Sequence, residues 1–195
     1  MTSRPFDPGY ATTDELRSLG FAHLGDNVMV ARNCTIVGLG NIYIGDNVRI
    51  DGMTTIAAAQ GHCRIGRNIH IGGGGHLACA GGLDIEDFCN LSQGVKIYTI
   101  SDDYSGAAMT NPTVPAAFTN VTRAPVTLHR HVIVGSGSVV LPGVTLGEGV
   151  AVGALSLVTR SQDPWTICAG SPARRIRDRS RALLELEQAY IGLAR

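Results

Sequence analysis

Between Leu128 and Val158 an aliphatic residue returns at every sixth position: Leu128, Val134, Val140, Leu146, Val152 and Val158. Gly often follows this opener, as at Gly135, Gly147 and Gly153. A small or branched residue stands four places after it, at Val132, Ser138, Val144, Val150 and Ser156. Helices repeat every 3.6 residues and strands every 2. A strict period of six fits neither. It fits one side of a coil, and hexapeptide periodicity is the mark of a parallel β-helix.

The same register runs through the earlier chain, in the openers Leu24, Val30, Ile36, then Ile44, Ile50, Ile56, then Ile65, Ile71, Leu77, then Ile85, Leu91, Ile97. Three sixes make a coil of about 18 residues. Coils starting at 24, 44, 65 and 85 are 20, 21 and 20 apart, so small insertions recur at the corners. The interval from 85 to 128 is 43, one coil plus about 25 residues. The excess is Ser101 to Ala124, which contains Pro112 and Pro115 and no sixes. A loop of that length on a compact domain is functional or disordered. Its low Gly and Ser content and interspersed apolar residues favour an ordered flap. Stacking coils about 4.8 Å apart gives a prism roughly 30 Å tall.

Composition agrees. Hydrophobic residues are 44% and charged residues 16%, which argues against disorder. Gly is abundant, at 25, and aromatics are only 5%, which suits a thin, tightly wound interior. Zero net charge gives no electrostatic reason to expect nucleic acid or an anionic membrane. There is no run of 18 apolar residues and the first residues do not read as a signal peptide, so a cytoplasmic protein is expected. The five Cys form no CxxC pair; Cys34 and Cys89 fall four places after openers and read as small core residues.

Three segments are expected. Residues 1–23 form an arm and a short helix, with a capping box over Thr12–Glu15 and a stop at Gly20, placed to cover the open first coil. Residues 24–177 form the β-helix with its loop at 101–124. Residues 178–195 form a helix in which Leu183, Leu186, Tyr190 and Leu193 make an apolar stripe, capping the last coil or packing on a neighbouring subunit.

The repeat, the loop and the tail together resemble the hexapeptide-repeat acyltransferases, the left-handed β-helix family. The specific motifs are Val134-Gly-Ser-Gly-Ser-Val-Val-Leu-Pro-Gly-Val-Thr, Val152-Gly-Ala-Leu-Ser-Leu-Val-Thr and Ala169-Gly-Ser-Pro-Ala-Arg-Arg-Ile. Closest are the galactoside- and maltose-type sugar acetyltransferases and the relatives that acylate sugars for surface polysaccharides. Left-handed winding comes from this resemblance alone, since the usual crossover rule predicts the opposite hand. The resemblance implies a homotrimer with acetyl-CoA or another acyl-CoA as co-substrate in a groove between prisms, and no metal. It places Ser136, Ala154, Thr159 and Arg160 along the pantetheine and diphosphate arm, with Gly135 and Gly153 allowing close approach. Arg174 and Arg177 would meet the nucleotide end, as guanidinium groups suit phosphates. The alternative is that these Gly only turn corners and these Arg are solvated.

Sugar acetyltransferases of this family carry a His just before the extended loop, as base for the acceptor hydroxyl. Here that place reads Tyr98-Thr-Ile-Ser-Asp-Asp-Tyr104, with Asp102 and Asp103 instead. A carboxylate is a poor base for a hydroxyl at neutral pH but suits an amine, whose ammonium form it can hold. Equally, either Asp can be a turn former. Tyr104, Asn111 and Asn120 offer hydrogen bonds to a sugar. His76 is expected to end the second side of its coil and Asp102 the third side of the next, so the two could meet only across a subunit interface. His129 is expected near the Asp102 corner, pointing outward; His23, His62, His70 and His131 read as surface residues. The leading reading is an acyl-CoA-dependent transferase acting on a sugar, on the amine of an amino sugar, free or nucleotide-linked. The alternatives are a sugar O-acetyltransferase with His76 or His129 as base, and a non-catalytic or metal-binding β-helix.

Overall fold

The computed structural model describes residues 6–193; the first five positions of the expected arm and the last two of the C-terminal stretch lie outside them. The chain winds about seven turns of a left-handed β-helix. A first face stacks His23–Leu24, Ile42–Ile44, Cys63–Ile65, Leu83–Ile85, Val126–Leu128 and Thr145–Leu146. A second stacks Val28–Ala31, Val48–Ile50, Ile69–Ile71, Asn90–Leu91, Ile133–Val134 and Ala151–Val152, and a third Thr35–Val37, Thr55–Ala57, His76–Ala78, Lys96–Tyr98, Val139–Val140 and Leu157–Val158. Within each face every coil pairs in parallel with the next. The openers stack inside: Ile50 on Ile71, Leu91 on Val134, Ile97 on Val140. Nearly all are fully buried, and each such side chain contributes about 1.5–3 kcal/mol. Cys89 joins this core, while Cys34 is half-buried.

The corner between the first and second faces explains how the coil turns. Asn27, Asn47, Asn68, Phe88, His131, Gly149 and Trp165 occupy one column and all have φ between 54° and 68°. From Asn47 onward each backbone N–H in this column donates to a carbonyl of the coil before, for instance Asn68 to Asp46 O at 2.9 Å and Gly149 to Arg130 O at 2.8 Å. Asn and Gly tolerate the left-handed region; Phe, His and Trp do so only under constraint. Here the constraint is the stack itself: the Phe88 and His131 rings lie 5.1 Å apart, nearly parallel.

Both ends differ from expectation. Tyr10–Ala11 adds an antiparallel strand to the second face before helix α1, Thr13–Arg17, whose capping box is formed and whose Leu16 is buried. The tail makes a last partial turn, with Gln162 bridging to Leu146 and Thr166–Gly170 pairing in parallel with Ala151–Val152, and then folds back as an antiparallel hairpin through Ala173–Asp178. The C-terminal helix α2, Leu183–Leu193, does not cap the last coil. It lies along the left-handed column, where Glu187 accepts hydrogen bonds from His131 Nε2 at 2.9 Å and from Arg130, and Tyr190 donates to Asn68 at 3.0 Å. His131 is therefore buried, not a surface residue. The loop leaves the prism through a short hairpin, Ile100–Ser101 with Thr122–Arg123.

The N-terminal strand is held by one carboxylate. Asp51 accepts from Tyr10 Oη at 2.7 Å, Arg49 Nε at 2.7 Å and His70 Nε2 at 2.8 Å. His70 is thus part of a network rather than free surface. Burial alone would raise the Asp51 carboxyl, but hydrogen bonds from Arg49, His70 and Tyr10 outweigh it and bring its pKa from 3.8 to about 2. A lowered carboxyl stabilises the fold above its unfolded pKa and ceases to do so as pH falls through the folded one. Asp51→Asn should therefore cost about 2 kcal/mol at neutral pH. In urea titrations the gap to wild type should shrink between about pH 4 and pH 2; a gap independent of pH there would show that the charge is not what stabilises the strand.

Candidate acyl-acceptor site

The loop folds back over the third face and encloses a cleft of about 1020 Å³. Its floor is Tyr98, Val139, Leu141 and Pro142; its walls are Ile100, Ser101, Asp102 and Tyr104 on one side and Asn111 to Ala116, Thr119, Val121 and Arg123 on the other. The lining mixes apolar residues with a few polar ones, as ligand sites commonly do. The repeat makes the floor flat, and the hairpin at Ile100–Ser101 aims the loop across it.

The adjacent carboxylates part company. Asp103 accepts from the Ser105 N–H and hydroxyl, both at 3.0 Å, and from the Ala108 N–H at 2.9 Å. These bonds, the Ser105 backbone one foremost, hold its carboxyl below the usual range. Asp103 is the turn former of the pair, and the expectation of a base there gives way to that of a loop brace. Asp102 lines the cleft, and no hydrogen bond or ion pair engages its carboxylate among the described residues. Asn111 lines the cleft too, but its Oδ1 accepts from the Thr113 N–H and hydroxyl at 3.0 and 2.6 Å. Tyr104 is 94% exposed at the rim. Asn120 is exposed and does not line the cleft.

The candidate His residues fall elsewhere. His129 is not near Asp102. It follows strand Val126–Leu128, a full face beyond the loop, and pairs with Glu86 at 2.9 Å. His76 opens strand His76–Ala78 on the third face instead of ending the second. Its ring lies 5.6 Å from that of Tyr98, one coil on, and Tyr98 is part of the cleft floor. Among the described residues no three His, Cys, Asp or Glu side chains are grouped as a metal site requires.

The expected acyl-CoA residues divide between two corners. Gly135, Ser136, Gly153 and Ala154 stack at the corner between the second and third faces. A Cβ at Gly135 would stand 2.5 Å from Ala154 N and one at Gly153 2.8 Å from Ala169 Cβ, so both glycines are required by coil stacking whatever binds outside. Ser136 donates to Gln93 Oε1 at 3.3 Å, and Ser92 is on the same corner one coil earlier. Thr159 and Arg160 are exposed past the far end of the third face. Arg174 and Arg177 are exposed on the terminal hairpin. Six extended residues span about 20 Å, so the two corners of one prism cannot serve the same reacting atom.

No protein-family model matches the chain. It is 40% identical over 181 residues to dTDP-4-amino-4,6-dideoxy-D-glucose acyltransferase of Escherichia coli, covering 93% of this chain and 94% of that one. It is 29% identical to the putative lipopolysaccharide biosynthesis O-acetyl transferase WbbJ of E. coli K12, over 83% and 74% of the two chains. Among solved structures, AntD, an N-acyltransferase from Bacillus cereus in complex with dTDP and coenzyme A, superposes with a TM-score of 0.91 at 38% identity, over 96% of this chain and 98% of that one. Other AntD structures hold 3-hydroxybutyryl-CoA or dTDP-4-amino-4,6-dideoxyglucose.

The AntD structures include variants at a serine and at an aspartate ten positions further on. In this chain only one serine is followed ten residues later by an aspartate: Ser92, by Asp102. Ser92 was not singled out from the sequence, because as a small corner residue it is indistinguishable from its neighbours in the repeat.

If Asp103 serves the loop rather than the reaction, Asp103→Asn should speed amide exchange at Ser105 to Ala108 severalfold while coenzyme A still binds. Exchange unchanged from wild type would count against the brace. The winding, the cleft and the full-length similarity agree: the chain belongs to the hexapeptide-repeat acyltransferases, with the nucleotide-amino-sugar acyltransferases among its relatives.

Proposed function

We propose that this acyltransferase moves an acyl group from acyl-CoA to the amino group of a nucleotide-linked amino sugar, and does so as a homotrimer. The observation that carries the reading is Asp102, a carboxylate without a partner in the loop cleft, ten residues after Ser92. An amine arrives largely as ammonium at neutral pH. Asp102 can hold that cation, accept or relay its proton, and leave the nitrogen lone pair free to attack the thioester carbonyl. The nitrogen–carbon bond forms and the carbon–sulfur bond breaks; of the two protons the nitrogen loses, the one released before attack passes through Asp102 to solvent and the one released after it goes to the departing thiolate. Backbone N–H groups at the corner edge are the available donors for the developing oxyanion.

Ser92 and Asp102 stand at opposite ends of the third face, which supports a site built from one corner of one prism and the far corner of its neighbour. A threefold ring brings each such pair together. The same geometry lets Ser136 and Ala154 of one subunit share a groove with Thr159 and Arg160 of the next. In this arrangement Arg174 and Arg177 reach the nucleotide end of CoA.

The test is thiol release from acetyl-CoA with a panel of amino sugars, free and dTDP-linked, and of neutral sugars. Wild type should turn over the dTDP-linked amines. Asp102→Asn should lower kcat by about tenfold to several hundredfold, as for a general base, with CoA binding intact. Wild-type turnover by Asp102→Asn would remove the carboxylate from the mechanism, and faster reaction with neutral sugars would favour the O-acetyltransferase alternative.

A further inference from the structure

The cleft contains one anionic and one cationic side chain, Asp102 and Arg123. Arg123 is also the only cation in the whole segment from Ser101 to Ala124. Several acidic and basic groups elsewhere meet as neighbours, Arg49 with Asp51, Arg67 with Asp87, Arg130 with Glu187 and Arg175 with Asp178. The Asp102 carboxylate and the Arg123 guanidinium form no hydrogen bond or ion pair with each other or with any other described residue, although both line the same space.

Arg123 is firmly mounted. It pairs with Ile100 across the hairpin, and the next residue, Ala124, donates its N–H to Thr99 O at 3.0 Å. Gly81 leaves room for that crossing: a Cβ there would meet Thr99 O at 2.3 Å and Ala124 N at 2.9 Å. A guanidinium held on rigid backbone and left without a carboxylate is prepared for an anion from outside, and its fork suits phosphate oxygens. The cleft is therefore complementary to a molecule that is cationic at one end and anionic at the other.

We propose that Arg123 binds the phosphate of the acceptor, so that the cleft reads an ammonium at Asp102 and a phosphate or diphosphate at Arg123. This rests on the acceptor reading above and adds the residue by which a nucleotide-linked sugar is told from a free one.

Titration calorimetry with dTDP and, separately, coenzyme A tests it on wild type, Arg123→Met and Arg123→Lys. Arg123→Met should weaken dTDP binding by about ten- to hundredfold, the loss expected for hydrogen bonds to a charged group. Arg123→Lys should restore part of it, since the charge remains without the fork, and coenzyme A should bind all three alike. Equal dTDP affinity in wild type and Arg123→Met would overturn the assignment while leaving the acceptor reading intact. Parallel loss of dTDP and coenzyme A binding in both variants would make Arg123 a residue of the fold and would overturn it too. A wild-type protein that binds coenzyme A but not dTDP would remove the nucleotide-linked acceptor itself.

Discussion

Each coil satisfies its backbone hydrogen bonds only through the coils above and below, and the rest of the structure depends on that constraint. To keep the register, one residue per coil at the first corner must enter the left-handed region, from Asn27 to Trp165. Where Asn or Gly supplies it the cost is small. At Phe88, His131 and Trp165 a bulky residue is held there by stacking, and α2 is docked over two of these rings through Glu187 and Tyr190. The column that turns the chain thus also anchors its C-terminus.

The same constraint limits where chemistry can stand. Outward side chains on a flat face have no concavity, and the interior is filled by stacked Ile, Leu and Val. Reactive groups must come from corners or from an insertion. The single long insertion supplies both a wall and a carboxylate, and Asp103 braces it so that Asp102 can remain unengaged. The spacing that makes the prism rigid also separates Ser92 from Asp102, so a site that used both would need a neighbouring prism.

The winding was legible because a period of six has no other common source, and the loop was legible as the one break in it. The corner column was only half legible: Asn27, Asn47 and Asn68 announce a left-handed position, whereas Phe88 and His131 take it through contacts that no local pattern reveals. That is why His131 reads as surface and is buried, and why α2, expected to cap the last coil or to pack on a neighbouring subunit, lies along the side of its own prism. His76 was displaced by one face because the opener Leu77 lies inside its strand, so the residue before it already belongs to the third face. Asp102 and Asp103 cannot be separated from composition, since adjacent residues in a loop point to different partners only once its fold is known. Arg123 was not singled out from the sequence, because a lone cation in an insertion acquires meaning only once the cleft is known.

The central claim is that one acceptor site draws on two subunits. It is tested most directly by mixing Ser92→Ala and Asp102→Asn protein under conditions where subunits exchange. Each alone should be strongly impaired. With random assembly at equal amounts about a quarter of the sites would regain both groups, so turnover should rise well above the mean of the two parents, towards about a quarter of wild type. A mixture whose turnover equals that mean would contradict a shared site.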